Sequence, residues 1–236
     1  MLFLLLWLQN LLLYDIITVM MKNCVKKLYN LIPRYGWIML ICFLSFNMLT
    51  YYGARLVIDG ADKHDLTTYL DTIIPLRTEW IIIYVLSYLQ WAVGLIFAAR
   101  ERKGLCYRVL GGELIAKFFC LLCFVFFPVT IARPEIVGSA PWDYLTRLIY
   151  SIDTPDCLFP SLHCLESYIC FRAATLSEKM PRWYAWVMGI FTLLVFASTV
   201  LVKQHFVVDI FAGIAVGEIG LQIARFLLIK KGYYEK

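Results

Sequence analysis

Apolar residues in this chain gather in long blocks separated by short polar gaps. Six blocks, 36–57, 80–99, 112–132, 160–177, 183–202 and 207–229, are each close to the length of a membrane span. A helix needs about 20 apolar residues to cross the hydrocarbon core of a bilayer. The pattern therefore predicts an all-α protein, a polytopic membrane bundle of six core transmembrane helices. A further apolar block, 1–21, lacks the basic start and small-residue cleavage site of a signal peptide and ends in Met20-Met21. It is read either as an extra N-terminal span or as sequence ahead of a translation start near Met21. The chain divides into an N-terminal apolar segment with a basic linker (1–35), the six-helix domain (36–229) and a basic tail (230–236).

The polar gaps set the orientation. Gaps 22–35, 100–117 and 172–182 and the tail 225–236 hold 16 of the 22 lysines and arginines. Gap 58–79 has two basic residues against five acidic ones, and gap 133–159 has two against four. The alternation is unbroken, so the basic gaps are expected on the cytoplasmic side. The net charge of +5 is thus an orientation signal, and no nucleic-acid partner is expected. Composition agrees: 61% of residues are hydrophobic and mean hydropathy is +0.73, against about 45–50% apolar residues in a soluble domain. Stretches 65–76 and 141–152 place apolar residues at helical spacing within the outer gaps. They read as helices lying in the interface or packed on the bundle. Cys120 and Cys123 lie in an apolar block and read as packing residues. Cys157 and Cys164 flank the first polar motif, close enough in sequence for a disulfide that nothing else supports.

This topology brings Arg133, His163 and His205 to one non-cytoplasmic face, from blocks three, four and six. Two of the three histidines of the chain sit in short polar runs there. In Pro160-Ser161-Leu162-His163 the proline suits the first turn of a helix. That turn's N–H groups favour an anion, with the Ser161 hydroxyl as a further donor and His163 in reach as acid or base. In Lys203-Gln204-His205-Phe206-Val207-Val208-Asp209, His205 and Asp209 are four apart and share a helix face. A carboxylate on one imidazole nitrogen sets the tautomer and leaves the other nitrogen to attack. Arg133 offers a fork of donors to phosphate oxygens. Lys203 is read either as a second cation at the site or as a side chain snorkelling to the interface. Asp143, Asp153 and Asp156 read as solvated loop charges or turn formers, and His64 as a solvated loop histidine. Gly213 and Gly217 read as a close-packing pair, and Glu218 as a buried, hydrogen-bonded carboxyl.

With these residues the chain resembles the type 2 phosphatidic acid phosphatase superfamily. Its three blocks, Lys-x6-Arg-Pro, Pro-Ser-Gly-His and Ser-Arg-x5-His-x3-Asp, correspond to Phe126-x6-Arg133-Pro134, Pro160-Ser161-Leu162-His163 and Ser198-Thr199-x5-His205-x3-Asp209. The resemblance implies that His205 is a nucleophile forming a phosphohistidine, oriented by Asp209. It implies that His163 protonates the leaving oxygen and then activates the acceptor. Arg133, Ser161 and the Leu162 N–H would hold phosphate oxygens, with Lys203 compensating for missing cations, and no metal or cofactor is implied. Phe126, Leu162 and Thr199 depart from the blocks, so two phosphate-binding cations are absent. The expected function is hydrolysis of a membrane-lipid phosphate or diphosphate ester at the outer face. A lipid phosphotransferase like the inositol-phosphorylceramide and sphingomyelin synthases is the alternative, and a non-enzymatic membrane protein is the second. The expected setting is a bilayer, in a bacterial plasma membrane; oligomeric state is left open.

Overall fold

The computed structural model describes residues 31–233 and is a bundle of helices with no strand among the described residues. The apolar block 1–21 lies outside them. Helix α1 (Arg34–Met48) begins after Pro33 and continues through one π-helical turn, Leu49–Gly53, into α2 (Ala54–Ile58). A short helix, α3 (Tyr69–Ile73), lies in the first outer gap. Helix α4 (Ile81–Arg100) turns sharply into α5 (Lys103–Phe126). Then come α6 (Pro141–Ile152), α7 (Leu162–Leu176), α8 (Arg182–Leu201) and α9 (Val207–Lys230).

Among the described residues, five stretches are long and apolar enough to cross a membrane: Arg34–Ile58, Thr78–Arg100, Lys103–Phe126, Arg182–Leu201 and Val207–Lys230. The fourth expected span, 160–177, is different. Helix α7 has 15 residues, a length of about 22 Å at 1.5 Å per residue, against a hydrocarbon core of about 30 Å. It carries His163, Glu166 and Arg172 and packs against α4, α5, α8 and α9. Protein surrounds it, so its polar residues meet side chains instead of lipid.

The third expected span, 112–132, shifts toward the N-terminus. Helix α5 begins at Lys103 and ends at Phe126, where Pro128 stops it. The apolar residues beyond are extended backbone: His64 N–H bonds the Pro128 carbonyl, and Thr130 N–H bonds the His64 carbonyl, both at 2.9 Å. His64 is exposed, as expected, with its ring stacked on Phe127. Upstream, Gly112 lets α5 reach α9: a Cβ there would lie 2.9 Å from Leu221 Cα, and one on Gly220 would lie 2.3 Å from the Gly112 carbonyl oxygen. Such contact between small residues lets membrane helices approach closely.

Lys117, counted above among the cytoplasmic loop charges, is fully buried in α5. Its Nζ lies 3.0 Å from Glu166 and 3.8 Å from Glu113, and 3.4 Å from the centre of the Phe43 ring. A charge in a spanning helix is tolerated when it is paired inside the bundle, and here two carboxylates share one ammonium. Glu218 is hydrogen-bonded as expected, by Tyr168 and Arg172, but is only half-buried.

Helix α6 has the expected bounds. Leu145 and Ile149 pack on Ile81, Tyr84 and Val202, while Trp142, Tyr144 and Leu148 are exposed. Asp143 is not a solvated charge. It is buried and caps α6, accepting from the Ala140 N–H at 2.9 Å and the Thr78 hydroxyl at 2.5 Å. The expected amphipathic helix at 65–76 shortens to Tyr69–Ile73, ended by Pro75.

Candidate active site

The start of α9 and the loop before it build one half of the site. Helix α8 ends with its Thr199 carbonyl accepting the N–H groups of Gln204 and His205, at 3.0 and 3.1 Å. Lys203 turns the chain there with φ of 51°, in the left-handed region. Asp209 occupies the first turn of α9 and is fully buried. Its Oδ2 accepts from the Phe206 N–H at 3.0 Å and lies 3.2 Å from His205 Nδ1. Nδ1 is therefore the imidazole's engaged nitrogen, and Nε2 is the one left for chemistry.

The start of α7 builds the other half. Ser161 is its N-cap, accepting the Cys164 N–H at 3.3 Å, and Leu162 supplies one of the first-turn N–H groups that a helix cannot satisfy itself. Ser161 N–H reaches the Asp209 carbonyl at 3.4 Å, joining the two polar motifs directly. Gly213 makes that approach practicable, because a Cβ there would lie 2.8 Å from the Ser161 carbonyl oxygen. His163 stacks on Tyr84 at 4.1 Å between ring centres, with its Nδ1 3.4 Å from the Tyr84 hydroxyl. Trp91 and Tyr88 enclose the same ring at 4.8 and 5.5 Å. The centres of His163 and His205 are 6.0 Å apart, and His163 Nε2 has no partner.

Two cavities meet at His205. One, of about 290 Å³, is lined by both histidines with Tyr51, Trp91, Asp153 and Glu166. The other, of about 400 Å³, is lined by His205 with Arg133, Lys203, Asp71 and Ile131.

The cations are engaged. Arg133 is partly buried, donating to the Tyr150 and Asp153 carbonyls at 3.2 and 2.5 Å and to Gln204 Oε1. Lys203 donates to the carbonyls of Asp71 and Ile74 at the end of α3, at 2.8 and 2.5 Å. Burial lowers its pKa below the usual lysine range. It is thus neither snorkelling nor an unengaged phosphate ligand, but a cap on α3 at the edge of the second cavity. Phe126 points outward, 79% exposed, and Thr199 is buried with its hydroxyl on the Phe196 carbonyl. Neither position brings charge to the site.

Asp153, partly exposed, and Asp156, buried, are not free loop charges. Arg55 Nε binds Asp156 at 2.8 Å, and its guanidinium also meets Asp153 and the Tyr51 hydroxyl. Tyr51 in turn donates to Asp153. The sequence reading missed Arg55, Tyr84, Glu166 and Gln204. Of these, only Glu166 carried a signal, lying three residues beyond His163 on one helix face. Cys157 and Cys164 are free thiols, with burial raising that of Cys157 to about 12.

A family model described as the PAP2 superfamily matches residues 75–223, which is more than half of the chain and takes in both histidine motifs. The chain belongs to the PAP2 superfamily. No curated protein matches it. Among solved structures, the crystal structure of Aquifex aeolicus LpxE superimposes with a TM-score of 0.43 and 16% identity, over 73% of this chain and 92% of that one. Within the PAP2 match, the stretch from α4 to α9 supplies the two histidines, Asp209 and Arg133; the π-helical turn and α2, ahead of it, add Tyr51 and Arg55.

Proposed function

We propose that this PAP2 protein is an integral-membrane enzyme that hydrolyses a lipid phosphate or diphosphate ester, through a phosphohistidine on His205. The observation that carries the reading is the buried Asp209–His205 pair facing His163 across one cavity. Asp209 holds the Nδ1 proton, so Nε2 attacks phosphorus and the bond to the lipid oxygen breaks. His163 gives that oxygen its proton. Water then loses a proton to His163 and attacks phosphorus, the N–P bond breaks, and phosphate leaves. The first-turn N–H groups of α7 and the Ser161 hydroxyl stabilise the anionic oxygens. The loop charge pattern favours a site at the non-cytoplasmic face of the membrane.

The test is phosphate release by purified protein in mixed micelles of phosphatidic acid, phosphatidylglycerol phosphate and undecaprenyl diphosphate. Release is expected from the wild type and not from His205→Ala, whose folding is checked by its size-exclusion profile and thermal melt because His205 is buried against Asp209. Release undiminished in that variant sinks the nucleophile assignment. Release should also persist in EDTA.

A second reading, lipid phosphotransfer, is favoured by one observation: His205 borders two cavities, giving room for a donor and an alcohol acceptor. Head-group exchange between labelled lipids, with no phosphate release, would establish it. Neither activity, in folded protein, would leave the non-enzymatic reading.

A further inference from the structure

Helices α1 and α4 are pinned together at the end of the bundle away from the histidines. A Cβ on Gly36 would run into the Ala99 carbonyl oxygen, and the Tyr35 hydroxyl donates to the Glu101 carbonyl at 2.7 Å. Toward the other end both helices line the cavity of about 290 Å³ that reaches His163 and His205. Its floor is the two buried histidines. Its rim is Met48, Tyr52, Tyr88 and Ile152, each half-exposed or more and none charged. Met48 lies 14 residues along from Arg34, and Tyr88 lies 12 residues ahead of Arg100. At 1.5 Å per residue these are rises of about 21 and 18 Å, inside a hydrocarbon core of about 30 Å. This rim therefore faces lipid tails. The two carboxylates in the wall are paired, Asp153 with Arg55 and Glu166 with Lys117. Tyr52 stands in the π-helical turn, a form frequent at functional sites. The second cavity at His205 opens differently. Thr67 and Thr72 at its edge are exposed, with Asp71 and Lys203 beside them, and the first three lie in the polar gap 58–79.

We infer that the site has two doors. The lipid phosphate enters from the bilayer between α1 and α4, its chain resting on Met48, Tyr52 and Tyr88. Water and the released phosphate pass through the second cavity. This rests on the reading of His205 as the phosphoryl acceptor. A chain on the apolar rim stays in hydrocarbon while its phosphate reaches the buried histidines, so no apolar surface has to be brought into water. The first cavity, about 290 Å³, is at the lower end of ligand pockets, typically about 300–1,000 Å³. It holds the phosphate and the top of the chain, and the rest of the chain remains in the bilayer. Met48 and Tyr52 precede residue 75, where the PAP2 match begins, so selection among lipid chains falls partly to residues outside the matched region.

The experiment compares phosphatidic acid in nanodiscs with water-soluble p-nitrophenyl phosphate. Met48→Trp fills the apolar rim. It should lower kcat/KM for phosphatidic acid about tenfold relative to that for the soluble ester, the size of a lost apolar contact, mainly through KM. Thr72→Trp, at the polar edge, should move the same ratio the other way. Ile152→Trp replaces Met48→Trp if that variant misfolds. A second readout needs no turnover. Phosphatidic acid with a diazirine near the head-group end of its chain is photolysed with His205→Ala, and the labelled residues are mapped. Label is expected on Trp91 and Leu162, inside the rim, displaced by excess phosphatidic acid and not by phosphatidylcholine. Such label without turnover of either ester leaves the lipid door standing and sinks the His205 reading. Turnover with a ratio that Met48→Trp does not move overturns the inference and leaves His205 standing. Displaceable label confined to the second cavity, or none at all, overturns it also.

Discussion

Asp209 does two things with one oxygen: it caps the first turn of α9 and holds His205. An amide at that position still caps, but it has no charge with which to stabilise a cationic imidazole. Asp209→Asn is therefore expected to keep the thermal midpoint within a few degrees and lower turnover by roughly 10²–10⁴-fold; steady-state kinetics beside a thermal melt checks both. Thr199 gives the opposite case. Restoring the family's arginine there places a long cation where a fully buried hydroxyl now sits near Cys164. Thr199→Arg should reduce folded yield and leave turnover no higher, as size-exclusion profiles and activity per folded molecule would show. The sequence made His163, His205 and Asp209 legible because their spacing and their place at span ends carry the chemistry. It left the partners of the cations unread. Nothing in Arg133 or Lys203 as letters says that nearby carbonyls and Gln204 engage their N–H groups. Those partners all lie 17 or more residues away along the chain, and only the fold reveals them.

Among the elements, α5 and α7 were the hardest to read, and for one reason. Hydropathy averages along a single strand of sequence, whereas Lys117 is neutralised by Glu166 from another helix. A lysine looks like a loop residue until its partner is known. The same coupling makes the pair vulnerable. Lys117→Met leaves two carboxylates buried against one another and is expected to cost about 3–5 kcal/mol. Replacing all three, with Glu113→Gln, Lys117→Met and Glu166→Gln, should recover most of that stability, since no charge then remains without a partner. Thermal unfolding in detergent of the single and triple variants tests this; equal midpoints would contradict it. Helix α6 behaves otherwise, because its amphipathic spacing and Pro141 are local signals and its bounds match. Its cap, though, is tertiary. The Thr78 hydroxyl and then the Ala140 N–H hold the Asp143 carboxyl below the usual carboxylate range. Its stabilising contribution is present above the ordinary aspartate pKa and fades as pH falls through the depressed value. The difference in melting temperature between wild type and Asp143→Asn should thus be constant near pH 6 and shrink toward about pH 3.

For the molecule as a whole, block lengths and loop charges were enough to give the helical class, five of the spans and the convergence of the motifs on one end of the bundle. The exception, α7, follows from its enclosure: a helix wrapped by four others need not satisfy the bilayer. That enclosure has a consequence for how the protein is made. A segment of 15 residues carrying His163, Glu166 and Arg172 is a poor substrate for insertion by itself, since charged residues near a helix centre disfavour entry into lipid. Lys117, which pairs with Glu166, is synthesised before it; α8 and α9, which cover it, come after. During translation α7 is therefore expected to wait at the translocon or in the interface until the last helix arrives and Gly213 seats against Ser161. A ribosome stalled before α9 is complete should leave α7 accessible to water-soluble reagents, with the two histidines not yet a pair.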